Sequence, residues 1–204
     1  VAPEKIKLVG NIMIDSLEML RGRIEKENTY AKHDLTPSEF GLVTMHRPAN
    51  VDEPEILREI CRILIFVAER IKILFPVHPR TRKNLETFGL LKGLQSHPGL
   101  VLTEPISYIP FMNLIFNCRF VLTDSGGIQE ETTYLGIPCL TLRPNTERPI
   151  TVTQGSNKLC TLNDIEEHIE DILNHSTPKI TVPDFWDGHT ADRIAEHIKR
   201  FVIG

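Results

Sequence analysis

The run Asp124-Ser125-Gly126-Gly127-Ile128-Gln129-Glu130-Glu131 brings two glycines, a hydroxyl and several carboxyls into eight residues. That combination suits anion recognition at a helix start. The first backbone N–H groups of a helix have no partner inside it, and the helix dipole puts partial positive charge there. Glycine lets a phosphate reach the backbone with no Cβ in the way. Ser125 adds a hydroxyl donor, and Glu131, just over a turn further on, can accept from sugar hydroxyls. Two glycines alone would equally suit a tight strand-to-helix turn. The next stretch of chain favours the anion site. Its apolar run, residues 138–142, ends in Arg143-Pro144-Asn145-Thr146-Glu147-Arg148-Pro149, so two arginines lie in a loop beside the glycines. In open α/β folds that edge of the sheet is where ligands bind.

The elements that must hold these residues alternate along the chain. Residues 6–9 read as a strand, and 11–27 as a helix with Ile14, Leu17, Leu20 and Ile24 spaced by three and four. Strands are expected at 40–45, 71–77, 100–103, 120–123, 138–142 and 157–160. Helices are expected from Asp52-Glu53-Pro54 onward, where acidic residues and proline suit a first turn, and at 81–88, 108–117, 128–135 and 164–173. Residues 177–188, rich in Pro, Asp and Gly, read as an ordered loop. Residues 189–202 read as an amphipathic helix with Ile194, Ile198, Phe201 and Val202 on one side. Strands separated by helices imply right-handed βαβ units. The predicted fold is α/β, one doubly wound, Rossmann-like parallel sheet spanning residues 1–204.

Composition narrows the function classes. A hydrophobic content of 41% and a charged content of 25% are those of an ordinary globular chain. A formal net charge of −4 argues against a general nucleic-acid binder. No apolar stretch approaches the about 20 residues that cross a bilayer. Val1-Ala2-Pro3-Glu4-Lys5 has neither the charge nor the apolar centre of a signal peptide. Cys61, Cys118, Cys139 and Cys160 are far apart with apolar neighbours, so they read as reduced core residues of a cytoplasmic protein. No metal site and no cofactor are expected, and neither nucleic acid nor membrane is an expected partner.

Met45-His46-Arg47-Pro48-Ala49-Asn50, Pro76-Val77-His78-Pro79, Tyr108-Ile109-Pro110-Phe111, the glycine run, Gly136-Ile137-Pro138, Thr146-Glu147-Arg148-Pro149 and Phe185-Trp186-Asp187-Gly188 occur in that order. Together they make the chain resemble the UDP-N-acetylglucosamine 2-epimerase family, non-hydrolysing branch, over nearly its whole length. The resemblance implies the second half of a two-domain glycosyltransferase-B type fold. Residues 1–11 then lie near the domain junction, the N-terminal domain is absent from this chain, and the isolated chain is inactive. It also implies a UDP-sugar substrate, a homodimer in the full-length enzyme, and interconversion of UDP-GlcNAc and UDP-ManNAc through loss of UDP, an unsaturated glycal, and re-addition of UDP.

Residue by residue, the family pattern gives Ser125, Gly126 and Gly127 the diphosphate, Glu131 the ribose hydroxyls and Arg148 the nucleotide diphosphate. Phe111 would line the uracil pocket, although packing against its own helix accounts for it nearly as well. His46 would contact the diphosphate and assist UDP departure, where a lone histidine after a strand is usually structural. Arg47 and His78 would meet a second, regulatory UDP-GlcNAc. Glu130 reads as a first-turn acid complementing the helix dipole, and Arg143 as a partner for a carboxylate. The family's best-known branch has Glu at the position of Ala49, and Asp-Thr-Thr where Pro144-Asn145-Thr146 stands. A second branch, with members acting on modified UDP-N-acetylhexosamines, shares this chain's version. The competing functions are a hydrolysing epimerase, a glycosyltransferase, and a non-catalytic UDP-sugar-binding module.

Overall fold

The computed structural model describes residues 1–175 and 181–203; residues 177–180 of the expected loop lie outside them. In chain order the elements are α1 (Ile12–Ile24), β1 (Phe40–Thr44), α2 (Pro48–Val51), α3 (Pro54–Ala68), β2 (Lys72–Pro76), α4 (Pro79–Thr87), α5 (Leu91–Gln95) and β3 (Leu100–Thr103). Then come α6 (Tyr108–Asn117), β4 (Phe120–Thr123), α7 (Gly126–Leu135), β5 (Cys139–Leu142), α8 (Pro149–Thr153), β6 (Asn157–Cys160), α9 (Ile165–Asn174) and α10 (Thr190–Ile203). The six strands form one sheet in the order β3-β2-β1-β4-β5-β6, and every neighbouring pair is parallel.

Short apolar strands are what a sheet covered on both faces requires. Along each strand the side chains alternate between two cores. Val43, Ile73, Phe75, Phe120 and Leu122 join Leu57, Ile60 and Leu64 of α3 and Ile165 and Ile169 of α9. Phe40, Leu42, Leu74 and Val121 face the other way, onto Leu17 and Ile24 of α1 and Met112 and Ile115 of α6. A buried Asn113 closes the end of α1. Its amide donates to the Ile24 and Glu27 carbonyls at 3.0 and 2.9 Å and accepts from the Thr29 N–H at 3.0 Å.

The strand order fixes where a ligand can sit. From β1 the chain moves outward to β2 and β3, then returns to the opposite side of β1 as β4. Register pairs Gly41 with Phe120 and Thr44 with Thr123, so β1 and β4 end side by side. The connections leaving these two strands run toward opposite faces, and a crevice opens between them.

Residues 6–9 are not a strand. Ile6 and Leu8 are 63% and 70% exposed, and the described edges of the sheet are β3 and β6. An apolar alternation without a neighbouring strand has nothing to pair with. Helix α7 starts at Gly126, two residues before the expected 128, because glycine carries no hydrophobic period. The ends of the domain are tied together. The Asp15 carboxylate accepts the Thr190 and Ala191 N–H groups at 3.1 and 2.7 Å, capping α10. Arg193 donates to the Val9 carbonyl at 3.2 Å and pairs with Asp187. Gly10 has φ 117°, and any side chain there would press on the Phe185 carbonyl.

Candidate functional site

Asp124, fully buried, is the hub at the crevice. It comes directly after β4, and its carboxylate reaches across to the segment after β1. It accepts the backbone N–H of His46 at 3.0 Å, the N–H of Arg47 at 2.8 Å and the side-chain amide of Asn50 at 3.1 Å. It also holds the His46 ring, with Nδ1 2.9 Å from Oδ1. A carboxylate on Nδ1 fixes the ring's orientation and leaves Nε2 free. The Arg47 guanidinium returns one bond, Nε to the Asp124 carbonyl at 2.9 Å. His78, exposed after β2, lies beside this group, its ring centroid 5.6 Å from that of His46. His46, Arg47 and His78 therefore share one edge of the sheet, and His46 is held by the residue that precedes Ser125.

Ser125 is the N-cap of α7, yet its side chain makes no cap hydrogen bond. A Cβ added at Gly126 would meet nothing within 4 Å, and one at Gly127 would meet only the Met13 methyl at 4.0 Å. Neither glycine has the positive φ that would require it. The protein's own packing thus has no need of glycine at these two positions. What they preserve is an open approach to a helix terminus.

Further along α7, the Gln129 side chain joins the turn to the loop after β5. It donates to the Ser125 carbonyl at 3.1 Å and accepts from the Thr146 hydroxyl at 2.6 Å. Glu130, expected only to complement the helix dipole, is buried with both oxygens engaged. Asn11 donates to one at 2.9 Å, and Arg148 Nε lies 3.0 Å from the other. That pairing lays the Arg148 side chain along α7 while leaving it 43% exposed. Arg143 is bound to Glu147 by two contacts of 2.8 and 2.6 Å, which hold the Glu147 carboxyl down at about 2.

Glu131 is only 4% exposed. Burial pushes its carboxyl up to about 7, assisted by the charge of Glu130 and opposed by the Tyr108 hydroxyl, which donates to it at 2.9 Å. Phe111, one turn along α6 from Tyr108, is half-buried and packs on the core shared with α1. Asp124, Gln129 and Tyr108 all lie inside the family's sequence motifs, but the partners of Asp124 and Tyr108, and the Thr146 that Gln129 joins to its own turn, are 17 to 78 residues away, so sequence alone offered no role for them.

The sequence model described as UDP-N-acetylglucosamine 2-epimerase matches residues 1–199. The chain belongs to this family. The UDP-N-acetylglucosamine 2-epimerase of Methanocaldococcus jannaschii is 40% identical over 164 residues, 78% of this chain and 45% of that protein. A solved structure of an epimerase from the same organism, in complex with UDP-GlcNAc and UDP, superposes with a TM-score of 0.81 at 35% identity, covering 97% of this chain and 56% of the other. The UDP-2,3-diacetamido-2,3-dideoxy-D-glucuronate 2-epimerase of Pseudomonas aeruginosa is 32% identical over 200 residues, 96% of this chain and 53% of its own. The chain spans about half the length of these relatives.

Proposed function

We propose that this chain is the UDP-binding half of an enzyme that interconverts UDP-GlcNAc and UDP-ManNAc. The observation that carries the reading is the open, uncapped start of α7 at Gly126 and Gly127, flanked by a carboxylate-oriented His46 and by Arg148. A diphosphate at the turn would take helix N–H groups and the Ser125 hydroxyl. Arg148 would supply the planar fork that suits phosphate. Glu131 would accept from the ribose hydroxyls and Phe111 would border the uracil. In the reaction, the electron pair of the sugar's C2–H bond forms the C1=C2 bond while the C1–O bond breaks and UDP leaves with its electrons. Re-addition with reprotonation on the opposite face of C2 completes the inversion. Charge builds on the departing diphosphate, so His46 Nε2 and the helix terminus act where preorganised donors count most. The groups that move the C2 proton belong to the other half. Arg47 and His78 flank the crevice where a second, regulatory UDP-GlcNAc would bind. The whole enzyme is read as a cytoplasmic homodimer working without a cofactor. The Pseudomonas relative favours a second reading, epimerisation of a modified UDP-N-acetylhexosamine.

The test uses the two-domain enzyme and NMR of its products. UDP-ManNAc is expected from UDP-GlcNAc; free N-acetylmannosamine plus UDP would replace the proposal with the hydrolysing reaction. His46→Asn is expected to lower kcat about a hundredfold while KM changes little, the pattern of an interaction made mainly in the transition state. A structural histidine would instead lower Tm and spare kcat. A regulatory one would abolish cooperativity at normal saturating kcat.

A further inference from the structure

Gln129 is fully buried, and its amide bonds to three different segments. Nε2 donates to the Ser125 carbonyl at 3.1 Å, and Oε1 accepts from the Thr146 hydroxyl at 2.6 Å and from the Asn157 amide at 3.0 Å. Thr146 Oγ1 also accepts the Arg148 N–H at 3.0 Å. A continuous line of hydrogen bonds therefore runs from the residue before Gly126 to the backbone of Arg148. The line is braced from below. Asn157 donates to Thr151 Oγ1 at 3.0 Å and accepts from Thr141 at 2.6 Å, so its amide and that of Gln129 each have one workable orientation. A flipped Gln129 would set its carbonyl against that of Ser125.

The carbonyl of a helix N-cap already accepts the first intrahelical bond. The side-chain bond to Ser125 is therefore not needed to satisfy the backbone; what it adds is position. We infer that Gln129 is a positioning residue which, with Thr146, sets the separation between the glycine turn and Arg148, so that both grip one diphosphate together. This rests on the proposed placement of the diphosphate at the turn. The two grips come from different strand–helix units, and no backbone hydrogen bond of a single element could hold their spacing.

The experiment compares UDP with uridine on the 204-residue chain by calorimetry, because the ratio of their affinities isolates the share owed to the diphosphate. Gln129→Ala is expected to lower that ratio about tenfold, roughly the weight of one hydrogen bond to a charged group, while uridine affinity stays as in the wild type. Thr146→Val breaks the same line at a half-buried loop position and is expected to lower the ratio alike. Unchanged ratios in both variants overturn the inference. If Gln129→Ala does not melt cooperatively, Thr146→Val decides by itself. A wild type that binds UDP no more tightly than uridine defeats the diphosphate site itself, a result separable from failure of the variants alone.

Discussion

Glu131 is a carboxyl placed where charge is costly. Unfolded, it releases its proton near 4.5; folded, burial holds the proton up to about 7. Between those values the folded state binds more protons than the unfolded one, so this group lowers stability as pH rises through the window and levels off above it. Glu131→Gln removes the penalty. The variant is expected to gain stability over the wild type as pH is raised from about 5 to about 8, by a difference on the order of 3 kcal/mol, and to bind UDP more weakly if the proposed ribose acceptor is lost. Thermal melts across that range check it; a constant offset between the two proteins would show that burial does not shift this carboxyl. A residue that is costly to the fold and buried beside the proposed nucleotide site is what function, rather than stability, would retain.

At the scale of elements, α7 offers the sharpest contrast. Gly126→Ala adds a methyl to empty space at a helix start, so the fold should melt at the wild-type temperature or slightly above, since alanine favours helix. UDP affinity should nonetheless fall by at least about tenfold, because the methyl would stand where the proposed diphosphate approaches. Ser125→Ala removes a donor to a charged group and should cost about 1.5–3 kcal/mol of binding. Calorimetry beside melting curves separates the two, and a destabilised Gly126→Ala with normal binding would make the turn purely structural.

The same helix shows what could be read from sequence. Residues 108–117, 100–103 and 120–123 coincide with α6, β3 and β4, each a largely apolar run cut off by polar or turn residues, and 157–160 coincide with β6. Helices α2, α5 and α8 have only four or five residues, too few for a helical period to repeat, and were not legible. The glycine turn, His46 and Arg148 stood out because each belongs to a local run. The clamp of Asp124 on His46 and the bridge through Gln129 did not, because both depend on the order in which distant strands come to lie together.

For the whole molecule, this chain covers roughly half of each relative, so binding and turnover should part company. Alone it is expected to bind UDP, weakly, and to produce no UDP-ManNAc by NMR; robust turnover would show that the residues of this half suffice for the acid–base work. The bare start of α7 adds a consequence for handling it. A helix whose terminal donors lack a protein cap is completed by whatever anion settles there, so ligand and fold share one equilibrium. Stability then grows with the logarithm of nucleotide concentration above its dissociation constant. If the proposed site holds, a melting curve should double as a binding curve for this domain, with phosphate buffer as a competitor.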